Sequence, residues 1–234
     1  MRVLLIHTAG GKGSVALADT EAAQAIVATE ALPGRSSSER LVPAVRRLMA
    51  GRGWRLGELA AVVVVTGPGS FTGVRVGLSA AKGLSEAGGV GLIAVSRLAL
   101  LAAAVDGEDG PVHAVLDAGR GEFYTGEYVG RRCVREVLMG GEEVLAAVGG
   151  GVVVACEAKV MEALGGLGLE LGLEVRLRMV EEPLAGDALP LALERIEAGD
   201  FDDAATLDAN YLRRTDAEIF AKTWAKTAAQ KDAR

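Results

Sequence analysis

VTGPGSFTGVRVGLSAAKGLSEAGG, Val65 to Gly89, joins a glycine-rich turn to a long amphipathic segment. The run before it, LAAVVVV (Leu59 to Val65), is apolar and β-branched throughout, the pattern of a strand covered on both faces. A buried strand, a tight turn and a helix in succession predict α/β construction. The turn fits neither common phosphate-loop pattern. No register supplies G-x-x-x-x-G-K-[ST], and in G-x-G-x-x-G Gly67 and Gly69 fit while Thr72 takes the place of the third glycine. Ser70 or Thr72 is the expected helix cap. Unpaired N–H groups at a helix start attract anions, so Gly67, Gly69, Ser70 and Thr72 are candidate nucleotide or phosphate contacts.

Within the helix, Val74, Leu78, Ala81 and Leu84 form an apolar stripe, and Arg75, Ser79, Lys82 and Glu86 form a polar ridge. Gly73, Gly77, Ala80 and Ala81 leave little side chain between this backbone and its neighbours. Close packing on two sides is then expected, which points to an interface as well as a core contact.

Upstream, Val3 to Ile6, Ser14 to Leu17 and Ala25 to Thr29 predict three short strands in an antiparallel meander. SSSERLVPAVRRLMAG places Leu41, Val42, Val45, Leu48 and Met49 at helical spacing, with Ser38 as the expected cap and Gly51 past the end. Pro43 predicts a kink or a late start there. Downstream, GVGLIAVS predicts a buried strand, and Arg97 to Val105 a helix. The charged, glycine-flanked GEDGP at 107–111 is a boundary, after which the pattern restarts. VHAVLDA, GEFYTGEYV and RCVREVLM read as three strands, followed by a helix from Glu142 to Val148 and the strand GGVVVAC. The repetition suggests a duplicated topology, with a first lobe over 1–106, a smaller second lobe over 111–220 and a tail over 221–234. EPLAGDALPLALERIEAGD predicts an amphipathic helix ended by Gly199.

Half of the 234 residues are hydrophobic but only 4% aromatic, so the core is built from Ala, Val and Leu. A formal charge of −6 argues that any nucleic-acid contact is shared with another chain, because such contact draws most of its affinity from Lys and Arg. Cys133 and Cys156 carry no CxxC spacing and predict two reduced thiols in a cytoplasmic protein. The opening MRVLLIHTAGG reads as a strand rather than a signal peptide, and no apolar run reaches membrane-spanning length.

TGPGSFTGVRVGLSAAKGL (66–84) resembles the defining stretch of the bacterial TsaB (YeaZ) family of tRNA threonylcarbamoyladenosine biosynthesis proteins. VLLIHTA and GSVAL near the start, SERLVPAVRRLM, DAGRGEFY and YLRRTDAEI extend the likeness over about residues 2–219. The resemblance implies the ASKHA (actin-like ATPase) fold, an α/β architecture of two RNase H-like lobes with mixed sheets. It also implies a non-catalytic partner of TsaD, which transfers threonylcarbamoyl to N6 of adenosine 37 in tRNAs reading ANN codons. TsaE binds the pair, tRNA is met through the complex, and a homodimer forms when TsaD is absent. In the family the helices matching 38–50 and 70–86 form the interface, which maps it to Leu41, Val45, Arg46, Leu48, Met49, Phe71, Val74, Arg75, Gly77, Leu78, Ala81 and Lys82. No metal, and no cofactor held by this chain alone, is expected; ATP or ADP at the subunit junction is the candidate.

Departures from the family pattern sharpen these expectations. His7 and Ala9 stand where the family has Asp and Ser, and a histidine cannot orient a magnesium-bound phosphate as an aspartate does. Arg120 is displaced by one residue in D-A-G-R-G-E-F-Y (117–124), Ser37 replaces a common His, and Ala209 a common Pro. With only His7 and His113, the chain has no HxxxH pair for a metal. The alternatives to a scaffold subunit are an independent ASKHA phosphotransferase and a nucleotide-binding module. Arg35, Arg40, Arg46, Arg47, Arg52 and Arg55 form the densest basic run, expected either as a solvated face or as contacts to TsaD or tRNA.

Overall fold

β1 (Arg2–His7), β2 (Lys12–Asp19) and β3 (Ile26–Pro33) form an antiparallel meander, and β4 (Ala61–Val65) and β5 (Gly91–Val95) extend it in parallel beyond β1. The order is β3-β2-β1-β4-β5. The computed structural model, which describes residues 1–33, 37–105 and 107–212, then repeats this unit. β6 (Val112–Gly119), β7 (Glu122–Val129) and β8 (Arg132–Gly140) are antiparallel, and β9 (Val152–Ala155) and β10 (Arg176–Met179) add in parallel on the far side of β6. Two mixed five-stranded sheets of one topology make this the ASKHA fold of two RNase H-like lobes.

Strand alternation sorts the core. In β1, Val3 and Leu5 face one side with Ala61, Val63 and Val65 of β4, while Leu4 and Ile6 face the other with Val62 and Val64. The second side is covered by α1 (Ser37–Arg52) and α2 (Phe71–Gly88), which bury Leu41, Ala44, Val45, Met49, Leu78 and Ala81 against it. Full burial of each large aliphatic side chain contributes about 1.5–3 kcal/mol. In the second sheet, α3 (Arg97–Ala103) packs on one face through Leu98 and Leu101; α4 (Gly141–Val148) and α5 (Ala158–Glu170) cover the other.

Several local expectations are corrected. α1 starts at Ser37, so Ser38 lies in the first turn instead of capping it. The helix runs through Pro43 without a break; the proline and Glu39, whose carbonyl it cannot bond, are both on the exposed side. Gly51 is still helical, and Gly53, at φ 65°, takes the left-handed position past the end. α5 and β10 were not foreseen, since GLGLELGLEV is too glycine-rich for a clear period; burial of Val160 and Leu164 stabilises the helix.

The largest correction concerns the second lobe, expected over 111–220. Its sheet ends at Met179, and the chain crosses back. α6 (Leu189–Ala198), ended by left-handed Gly199, buries Leu189, Ala192 and Ile196 against the first sheet with Val3, Leu5 and Val63. Residues 202–210 continue along that sheet: Asp202 N–H donates to Leu92 O at 2.8 Å and Asn210 N–H to Thr66 O at 2.9 Å. The tail expected over 221–234 and Arg35 lie outside the described residues.

Candidate partner-binding face

Helix α2 sits unusually close to β1. A Cβ on Gly73 would fall 2.0 Å from the Thr8 carbonyl oxygen, and one on Gly77 2.3 Å from Thr8 Oγ1. The small residues are therefore inward, and the stripe of Val74, Gly77, Leu78 and Ala81 is buried in the chain's own core. Leu41, Val45 and Met49 of α1 are buried in the same way. This corrects the expected interface: apolar periodicity marks the face turned to the sheet, whatever the opposite face does. Of the residues expected there, Arg46, Phe71 and Arg75 are exposed, and Leu48 and Lys82 are half-buried. Val42, 44% exposed, joins them.

Two of these groups, Phe71 and Arg75, are organised together with Tyr211. The Arg75 guanidinium lies 3.5 Å from the centre of the Phe71 ring, and its Nε donates to the Tyr211 hydroxyl at 2.7 Å. The Phe71 and Tyr211 rings are 5.8 Å apart. Phe71 remains 47% exposed and Tyr211 40%, so a large apolar surface is left uncovered. Beside it lies a groove of about 300 Å³ lined by Arg75, Ser79, Lys82, Asp208 and Tyr211, with Leu78 as its floor. A second groove, of about 240 Å³, runs between the ends of α1 and α2 beside Arg46, Trp54 and Leu84, floored by Val45 and Met49. Sequence reasoning missed Tyr211 and Asp208 as part of this face. The only signal was the YLRR motif; nothing in local periodicity says that the chain returns to α2, with Tyr211 136 residues beyond Arg75.

The basic run divides. Arg47 pairs with Glu30, Arg52 donates to the Val27 carbonyl oxygen, and Arg55 bonds Glu58 at 3.0 Å. Arg40 and Arg46 are exposed and have no ion pair among the described residues.

In the glycine turn, Ser70 and the Gly67 carbonyl are engaged within the chain. Ser70 N–H donates to the Ala9 carbonyl oxygen at 2.8 Å, and Ser70 Oγ accepts from Gly73 N–H at 3.2 Å as the helix cap. Gly67 is buried, its carbonyl accepting from Arg97 N–H at 2.7 Å, and a Cβ on Gly69 would meet Ala9 O at 2.1 Å. Of the four candidate phosphate contacts, Gly69, Ser70 and Thr72 are exposed, and among these three Ser70 has both its N–H and its hydroxyl oxygen engaged within the chain.

His7 ends β1 fully buried, its Nδ1 accepting from Ala9 N–H at 3.2 Å and its Nε2 without a partner. Burial and, second, the nearby Arg97 charge pull its pKa down to about 3, so the ring is neutral at physiological pH. Arg120 lies in the β6–β7 turn at φ 61°. No group of His, Cys, Asp and Glu among the described residues is arranged to hold a metal, and no helix there is long and apolar enough to cross a membrane.

The family described as "TsaD: tRNA N6-adenosine threonylcarbamoyltransferase" matches residues 23–152. The chain is 32% identical over 229 residues to the tRNA threonylcarbamoyladenosine biosynthesis protein TsaB of Escherichia coli, covering 91% of this chain and 95% of that one. The TsaB protein of Bacillus subtilis is 34% identical over 149 residues, 63% of each chain. Among solved structures, YeaZ from Pseudomonas aeruginosa superposes with a TM-score of 0.71 at 28% identity, covering 90% of this chain and 99% of that one.

Proposed function

The chain belongs to the TsaB (YeaZ) family, and from that premise we propose that it serves tRNA threonylcarbamoyladenosine synthesis as a non-catalytic subunit that binds and activates TsaD. The observation that carries the reading is the exposed Phe71–Arg75–Tyr211 cluster on the outer side of α2, flanked by two grooves. An uncovered aromatic pair joined to an arginine is the composition that concentrates binding energy at protein interfaces. Arg46 and Lys82 at the groove edges add charge that steers an acidic partner.

The chemistry at the end of β1 supports a non-catalytic role. Where a phosphotransferase of this fold needs an anionic oxygen ligand to orient magnesium, His7 offers a neutral ring. TsaE binding, and homodimerisation through the same helices in the absence of TsaD, belong to the same proposal. The test is co-purification of the full chain with TsaD of the same organism. Wild type is expected to form a stable heterodimer and Phe71→Asp to remain folded but lose it. Equal complex formation by both would place the interface elsewhere.

A further inference from the structure

The β1–β2 turn and the crossing segment after β10 meet at a single carboxylate. Glu182 Oε1 accepts from Gly11 N–H at 2.5 Å and Lys12 N–H at 3.2 Å, and lies 3.2 Å from Arg97 Nη2. Gly10 has no side chain at the point where these groups converge: a Cβ there would fall 2.4 Å from Glu182 Oε1 and 3.3 Å from Arg97 Nη2. Successive backbone N–H groups aimed at one point, with a guanidinium beside them, form an anion nest.

Two features say that the nest exceeds the needs of its occupant. Three donors converge on one carboxylate oxygen, which offers about two lone-pair directions. Arg97 is only 4% exposed, yet its Nε donor, which faces the same Gly10 position at 3.4 Å, has no partner. A buried donor left unpaired costs about 1–3 kcal/mol, so the spare donor marks capacity for an oxyanion with more oxygens.

Glu182 is also tethered. Three residues on, Ala185 donates its N–H to Ser14 Oγ of β2 at 2.8 Å, and on the other side Val180 N–H donates to Ala155 O at 3.0 Å. The segment therefore leaves the second sheet, deposits its carboxylate in the turn of the first, and continues along β2. Arg97 binds both lobes in the same cluster, lying 3.9 Å from Glu157 and 3.9 Å from Cys156 Sγ.

We infer that Glu182 is an internal ligand: it fills an oxyanion site built by Gly11, Lys12 and Arg97, and by doing so clasps the two lobes and denies that site to free phosphate. Formal charge agrees. With Glu182 in place Arg97 is balanced twice over, by Glu157 and Glu182; without it, one arginine and one carboxylate remain beside two free N–H groups. The inference is independent of the partner reading, since α2's outer face takes no part in it.

The test uses the full chain with Glu182→Ala and Glu182→Gln, and inorganic phosphate as the probe. Thermal unfolding is followed against phosphate at ionic strength matched with chloride. Wild type should show no saturable response, and both variants should bind phosphate at least ten-fold more tightly. Variants that fold and respond as wild type does would overturn the inference. A second measurement needs no variant. Gly11 N–H lies in an exposed turn, so its hydrogen exchange in the wild type should be at least ten-fold slower than in a free peptide. Exchange at the free-peptide rate would overturn the clasp whether or not the variants fold.

Discussion

Thr8 Oγ1 donates a 2.6 Å hydrogen bond to the carbonyl oxygen of Gly73, across 65 residues of sequence. With Thr8 O where a Gly73 side chain would begin, this bond pins the first turns of α2 to the end of β1. Helix and strand approach so closely that only glycine fits at 73 and 77. The outward ridge, from Phe71 to Lys82, is consequently what the rest of the cell meets.

Gly77→Ala should therefore destabilise the fold by about 1–3 kcal/mol, since its methyl would meet Thr8 Oγ1 in a packed core. Ser79→Ala, on the exposed side of the same helix, should stay within about 0.5 kcal/mol. Urea denaturation of both variants measures the contrast. Equal stability would mean that the Thr8–Gly77 approach is not maintained in solution.

Phe71→Ala removes the ring on which Arg75 rests. Affinity for TsaD should fall by about 2 kcal/mol or more, roughly thirty-fold, as at an interface hot spot. Titration calorimetry against purified TsaD gives the number, and a change under two-fold would remove Phe71 from the interface.

Arg46 and Arg47 are neighbours with different commitments. Arg47 is spent on Glu30 within the chain, whereas Arg46 points to solvent beside the second groove. Arg46→Glu should slow association with TsaD several-fold, with the difference shrinking at high salt; Arg47→Glu should do so less. Stopped-flow association at two ionic strengths separates them.

His7 makes stability depend on pH. Its pKa is 6.5 when unfolded and about 3 when folded, so above 6.5 both states are neutral and stability is full. As pH falls from 6.5 toward 3, the unfolded chain takes up a proton that the native state refuses, costing up to about 1.4 kcal/mol per pH unit. From pH 7 to 5 wild type should lose about 2 kcal/mol more than His7→Asn. His113, also lowered by burial, keeps its own contribution in both proteins. Identical losses would show that His7 is not held neutral.

Much of this was legible in the sequence because it is local. The β-branched run at 61–65, the Ser70 cap, the break at 107–111 and the restart as three strands each rest on neighbours within a few residues. Residues brought together over long distances were not legible. Tyr211 reaches Arg75 because the chain recrosses to the first sheet after Met179, and Glu182 reaches Gly11 for the same reason. The inward turn of Leu41, Val45, Val74 and Leu78 was misread because an amphipathic stripe shows which residues share a face, not whether sheet or partner covers it.

The central claim is that this chain acts by activating TsaD and not by chemistry of its own. The most direct test measures threonylcarbamoyladenosine formed on tRNA by purified TsaD from the same organism, with TsaE and the activated threonylcarbamoyl donor supplied. Turnover is compared for TsaD alone, this chain alone, and both together. The account expects modification only in the mixture, and its loss when Phe71→Asp replaces the wild type. Modification by this chain without TsaD, or full activity of TsaD without this chain, would contradict it.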